Sequence, residues 1–295
     1  MGWICASGIA APIAVADQAP TAFVDATVHR TTLAAPPQRI VTIFSSNTEI
    51  LAALGLTERI VGIDALTRYP PSVLDRPRVG GRLGMSVDAI VAQRPDLVIL
   101  TPARHALAQL ADPLTRLGIP VMVLMSRDLA EVLANVRLVA SVCGVAELGI
   151  RLADSLAKRL AAVRARQHGA AALRAVLVTG TTGNGLVTIA NDRSYTGDAL
   201  RAAGAVPALT PPSGWSHVSS EAIWRADPDA LLYAGEPVAL AALLDRPGWR
   251  NLRAHYTQRC YAVSRAHFLI PGPRTIDGVE TLAAMLAPRG AFAKQ

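Results

Sequence analysis

Short apolar runs alternate along the chain with stretches of helical period. Residues 39–44 (RIVTIF) are too few and too uniformly apolar for an amphipathic helix and read as a buried strand. Ser45, Ser46 and Asn47 offer N-caps for a helix through Glu49 and Leu54, which Gly55 ends. Residues 60–64 make a second strand, followed by a loop with Tyr69-Pro70-Pro71 and Gly80-Gly81. Ser86 caps a helix that stops before Pro95; residues 97–100 are a strand, 104–117 a helix ended by Gly118, and 121–124 another strand. Strands separated by helices predict a parallel sheet covered on both faces.

The rhythm breaks at residues 128–167, which are helical throughout except at Cys143-Gly144. Residues 147–167 contain no proline and predict one helix of roughly 30 Å, at 1.5 Å of rise per residue. Such a helix is either a rigid connector or a long surface helix. The β/α rhythm then restarts, with strands at 174–179, 186–190, 230–234 and 260–263. Helices follow at 196–204 (capped by Thr196), 221–226, 238–244 and 275–286. The two halves share a local repeat. SVDAIVAQRPDLVIL (86–100) aligns without a gap on SSEAIWRADPDALLY (219–233), with Ser86/Ser219, Ala89/Ala222, Ile90/Ile223, Pro95/Pro228 and Asp96/Asp229 identical. Each unit is a capped helix, a Pro-Asp turn and a strand, as two lobes built on one plan require.

Composition fits this picture. The 295 residues are 51% hydrophobic and 17% charged, a globular balance long enough for two domains. The expected divisions are a signal peptide at 1–16, an N-terminal lobe at 17–143, a connecting helix at 144–168 and a C-terminal lobe at 169–295. The net charge of +7 is spread along the chain, which suits a solvated surface rather than nucleic-acid binding. The first sixteen residues carry no charge, and Ala14-Val15-Ala16 resembles a cleavage site. No Lys or Arg precedes the apolar run, which a start set too far downstream would explain. Export to the periplasm is therefore expected. Cys143 and Cys260 fall in different halves and read as two buried thiols.

Several chemistries are excluded. Gly180-Thr181-Thr182-Gly183-Asn184-Gly185 follows a strand but precedes another strand, so it reads as a hairpin turn and not as a phosphate loop. Gly214-Trp215-Ser216-His217-Val218 lacks the second glycine of a nucleophile elbow. There is no HExxH, and the six histidines make no pair at helical ligand spacing. No nucleophile, base and oxyanion set assembles, so no enzyme is expected and no catalytic or metal-ligating residue is assigned. Asp88 and Glu221 open the two equivalent helices. Each either complements its helix dipole or forms half of a matched pair of exposed acids.

In order and spacing, several segments resemble one family. They are Pro36-Pro37-Gln38-Arg39-Ile40-Val41, Asn47-Thr48-Glu49-Ile50-Leu51, Tyr69-Pro70-Pro71, Pro95-Asp96-Leu97-Val98-Ile99 and Gly272-Pro273-Arg274. The family is that of the substrate-binding proteins of ABC importers for iron–siderophore, haem and cobalamin. The resemblance implies an α/β fold of two Rossmann-like lobes with parallel sheets joined by a single long α-helix, the class III periplasmic binding protein architecture. It also implies that one acid on each lobe, here Asp88 and Glu221, engages arginines of the membrane permease. Asp88 stands where the family usually has Glu. Tyr69 matches a tyrosine that lines the interlobe cleft and ligates iron in some haem binders. Trp215 aligns with a cleft tryptophan of the cobalamin binders, whose other stacking tryptophans fall here near Arg82 and Thr101. Arg68, Arg82 and Arg104 suit an acidic ligand, Arg274 is the strongest candidate among the basic residues, and Tyr195 is a further lining candidate.

The expected protein is a monomer that captures a metal chelate, iron–siderophore or haem before cobalamin, and hands it to the permease. The chelate is cargo, and no cofactor is implied. A cobalamin-binding protein of the same class is one alternative. Another is a tetrapyrrole chelatase-like enzyme on the same plan, which would need a His and an acid converging in the cleft. A third is a direct metal-ion binder, which would need converging ligands that the sequence does not supply.

Overall fold

The computed structural model describes residues 20–81, 84–101, 107–167, 169, 171–182, 185–210 and 217–287. The apolar segment read as a signal peptide lies outside them.

The first lobe opens with an antiparallel hairpin, β1 (Thr21–Val24) and β2 (Arg30–Leu33). There follow β3 (Ile40–Ile43), α1 (Ser45–Ala53), β4 (Ile60–Ile63), the short pair β5 (Gly80–Gly81) and β6 (Gly84–Met85), α2 (Val87–Ala92), β7 (Leu97–Leu100), α3 (Asp112–Arg116) and β8 (Val121–Val123). The main sheet has the order β4-β3-β7-β8, and all its pairings are parallel. β3, β7 and β8 are buried at every residue, as strands covered on both faces must be. The hairpin covers the β8 edge, because Asp25 Oδ2 accepts from the Val123 amide at 3.1 Å.

Two local expectations are corrected. Residues 107–111 wind as a π turn and α3 begins only at Asp112. Pro113 lacks the amide that a continuous helix would need, so it sits in the first turn of a new one. α1 is capped neither by Ser45 nor by its neighbours. Its N-cap is Phe44, and Ser45, Ser46 and Asn47 are buried within the helix.

Two helices, α4 (Leu129–Val142) and α5 (Ala146–Gln167), then lead to the second lobe. That lobe holds β9 (Leu173–Thr181), β10 (Leu186–Ile189), α6 (Tyr195–Ala202), β11 (Ala205–Pro207), β12 (His217–Ser219), α7 (Ser220–Ala226), β13 (Ala230–Ala234), α8 (Pro237–Leu244), α9 (Arg253–Tyr256), β14 (Cys260–Val263), α10 (Arg265–Leu269) and α11 (Thr275–Leu286). Its sheet runs β12-β10-β9-β13-β14, with β11 beside the start of β9. β11, β9, β13 and β14 are parallel, and β10 and β12 add an antiparallel edge. The glycine-rich segment is the β9–β10 hairpin, as its sequence context required. α6 is capped by Ser194 and not by Thr196, whose hydroxyl instead donates to the Phe268 carbonyl at 2.9 Å.

The internal repeat is structural. Ser86 and Ser219 each accept the amide of the third helical residue, at 3.2 and 3.3 Å. Both helices end on a left-handed residue before proline, Arg94 (φ 49°) and Asp227 (φ 39°). Asp96 then accepts the Arg39 amide at 2.9 Å, and Asp229 accepts the Arg174 amide at 2.9 Å. In each lobe the Pro-Asp turn thus pins the start of the central strand.

α5 joins the lobes as a packed element. Its buried face (Ala153, Leu156, Leu160, Val163) belongs to an apolar core that continues into both lobes. Arg159 clamps it to α11, its Nε donating to Glu280 at 2.9 Å, and these acids raise the Arg159 pKa while Arg159 lowers that of Glu280. Gly149 lets α4 approach. A Cβ there would lie 2.2 Å from the Ala140 Cβ and 3.2 Å from the Val136 carbonyl oxygen. Gly149→Val is therefore expected to destabilise the fold by about 1–3 kcal/mol. Thermal unfolding checks this, and an unchanged Tm would contradict the close approach. The two thiols are free; burial pushes Cys143 up to about 12 and Cys260 up to about 11. No described helix is long and apolar enough to cross a membrane.

Candidate functional site

In open parallel sheets, ligands bind outside the carboxyl ends of the strands. In the first lobe this edge carries Phe44 after β3, Leu66 beyond β4 and Met125 beyond β8, exposed by 36%, 72% and 40%. One buried carboxylate organises the edge. Asp64 Oδ2 accepts from the Phe44 amide at 3.1 Å and the Thr67 hydroxyl at 2.7 Å; Oδ1 accepts from the amides of Leu66 and Thr67. The strand tip and the loop leading to Tyr69 are thereby tied to each other.

α1 carries five buried polar residues in succession, Ser45 to Glu49. The second lobe covers them in part: a Cβ on Gly272 would lie 3.4 Å from Glu49 Oε2 and 3.9 Å from the Ser46 Cα. Arg274 crosses the seam. Its Nε donates to Glu49 Oε2 at 2.9 Å and a terminal nitrogen to Oε1, a bidentate pair. Glu49 is almost fully buried, and its hydrogen bonds raise the Arg274 pKa above the usual value. The same guanidinium lies over the Tyr69 ring, 4.0 Å from ring centroid to Cζ. Tyr69 is 42% exposed, and its peptide bond to Pro70 is cis. A hollow of about 220 Å³ lies against Glu49, Tyr69, Pro70, Pro273 and Arg274. Larger concavities of about 750 and 580 Å³ lie elsewhere, between the β1–β2 turn and α3 and beside α5.

The structure thus brings Tyr69 and Arg274 together, but it engages Arg274 with Glu49. Arg68 is exposed and turns back on its own loop, donating to the carbonyls of Ala65 at 2.8 Å and Thr67 at 3.0 Å. Tyr195 is half-buried at the start of α6, where burial pushes its phenol above the usual range. Arg82, Arg104 and Trp215 lie outside the described residues. Sequence reasoning missed Phe44, Asp64 and Arg265. Arg265 is exposed just beyond β14 and donates to the carbonyls of Thr179 at 3.0 Å and Ala234 at 3.1 Å, so it sits at the carboxyl edge of the second sheet. Its position after a strand was the available signal. Among the described residues, no group of three His, Cys, Asp or Glu could hold a metal ion.

Asp88 and Glu221 occupy the second position of α2 and α7, each one residue beyond the first helical residue after its serine cap. Both are exposed, and neither forms an ion pair with a described residue. Glu221 is held below the usual carboxylate range, chiefly by its own amide and then by the Ser219 hydroxyl.

The profile of the periplasmic binding protein family matches residues 40–265. The chain belongs to that family. It is 27% identical over 277 residues to an uncharacterized ABC transporter substrate-binding lipoprotein, YvrC, of Bacillus subtilis, covering 91% of this chain and 86% of that one. It is 30% identical over 203 residues to the vitamin B12-binding protein of Salmonella choleraesuis, covering 67% and 73%. Among solved structures, a periplasmic heme-binding protein from Pseudomonas aeruginosa superposes with a TM-score of 0.72 at 28% identity, covering 84% of this chain and 92% of that one. The protein is thus an exported substrate-binding component of an ABC transporter, of the haem, B12 and siderophore class. Members of this family bind and deliver; they are not enzymes. Its partners are a permease and a small-molecule ligand.

Proposed function

We propose that the protein captures an iron chelate, haem before a ferric siderophore, in the seam between residues 17–143 and 169–295. The observation that carries this reading is the exposed Tyr69 ring beside the Arg274 guanidinium, 4.0 Å away. A phenol is an established axial ligand of haem iron, and an adjacent cation favours the phenolate that would bind a ferric centre. The 28% identity to a haem-binding protein is consistent with it. Cargo recognition then falls to the apolar strand-end residues and to cations free of protein partners. Delivery falls to Asp88 and Glu221, one acid per lobe in matching frames, which meet basic residues of the permease. α5, packed into both lobes, limits closure to a small motion.

A vitamin B12 cargo is the second reading, favoured by 30% identity to a vitamin B12-binding protein. Titration of the apoprotein with haemin, cyanocobalamin and a ferric hydroxamate separates the two. Haemin is expected to bind with a shifted Soret band, and Tyr69→Phe to move that band and weaken binding roughly tenfold or more. Tight cyanocobalamin binding without haemin binding would overturn the haem reading.

A further inference from the structure

Phe44 adopts φ 86° and ψ 133°, backbone angles that belong to glycine. A side chain held there strains the backbone, and such strain persists only where surrounding contacts enforce it. Here the enforcing contact is the buried Asp64, whose Oδ2 takes the Phe44 amide. The ring gains no place in the core in return: Phe44 is 36% exposed and belongs to none of the apolar clusters. Its position is the carboxyl end of β3, two residues before Ser46, where the second lobe comes down on α1. Leu66 and Met125 are exposed at the ends of neighbouring strands of the same sheet, and Tyr69 on the adjoining loop.

We infer that Phe44 is a ligand-contacting, specificity-determining residue of the interlobe site, an aromatic platform for the flat apolar face of a tetrapyrrole-sized macrocycle. The inference rests on the proposed reading of the seam as the chelate site. Glycine at this position would remove the strain and also the platform, so the side chain present is the one that serves the ligand. A ring with few rotamers presents a fixed apolar area at little entropic cost, and stacking on it favours a planar ligand over a compact globular chelate.

The test compares wild type, Phe44→Gly and Phe44→Trp by haemin titration and by thermal unfolding. Phe44→Gly is expected to keep or raise Tm while weakening haemin binding roughly tenfold to a hundredfold, as loss of one stacked ring does. Phe44→Trp is expected to recover most of the affinity. A fall in Tm with affinity unchanged would overturn the inference, because it would make the ring a packing element. If the wild type binds no haemin, the haem reading fails by itself, and the thermal arm still decides Phe44. A drop in Tm would then overturn its assignment, and a maintained or raised Tm would uphold a strained ring that the core does not need.

Discussion

Cells producing the Asp88→Ala, Glu221→Ala double variant take up no more ligand than cells lacking the protein, although the purified variant binds ligand as wild type does. Both acids are exposed and neither pairs with a described residue, so removing them disturbs no internal contact. Their dipole contribution is small, about 0.3–1 kcal/mol each. Buried against a permease arginine, each would count for far more: loss of one partner of a desolvated pair costs about 2–5 kcal/mol. Two such losses exceed what a transient docking complex can absorb. Each single variant is expected to show partial uptake, with Glu221→Ala the more severe, because Asp88 is the shorter arm. Uptake assays with labelled ligand, run beside a binding titration, check this. Lost ligand affinity in the double variant would return both acids to a structural role.

Arg274→Met is expected to lower stability by about 3–5 kcal/mol, because it leaves the Glu49 carboxylate buried without its cation. In a chain of this size that is a fall in Tm of roughly 10 °C. Adding Glu49→Gln to the same chain should restore most of the loss, since a neutral amide is much less costly to bury than an unpaired charge. If Arg274→Met instead keeps Tm and loses ligand affinity, the guanidinium serves the ligand and not the seam. The double-variant recovery separates these outcomes, because a ligand-binding arginine would gain nothing from a change at Glu49.

The legible parts of the fold were those where local pattern and tertiary demand agree. β3, β7 and β13 are apolar runs because both faces of their sheets are covered, and their boundaries fell within a residue or two of the reading. The repeat was visible because Ser86/Ser219 and Asp96/Asp229 make the same hydrogen bonds in each lobe. β1 and β2 were missed because RTTL is half polar, and the hairpin is fixed by Asp25 reaching β8. The helix expected from residue 104 ignored Pro113. The site was less legible for a simple reason. Its central contact joins Glu49 to Arg274 across 225 residues, and no local period announces such a pair. Arg274 was singled out correctly as special, but its partner is a glutamate of the other lobe. Phe44 was read as the last residue of an apolar strand, and only its backbone angle shows otherwise.

The absorption spectrum of the protein purified from its native source tests the chelate reading most directly. A Soret band that shifts on Tyr69→Phe is the expected result. A corrin spectrum, or a preparation that takes up neither haemin nor a ferric siderophore, would contradict it.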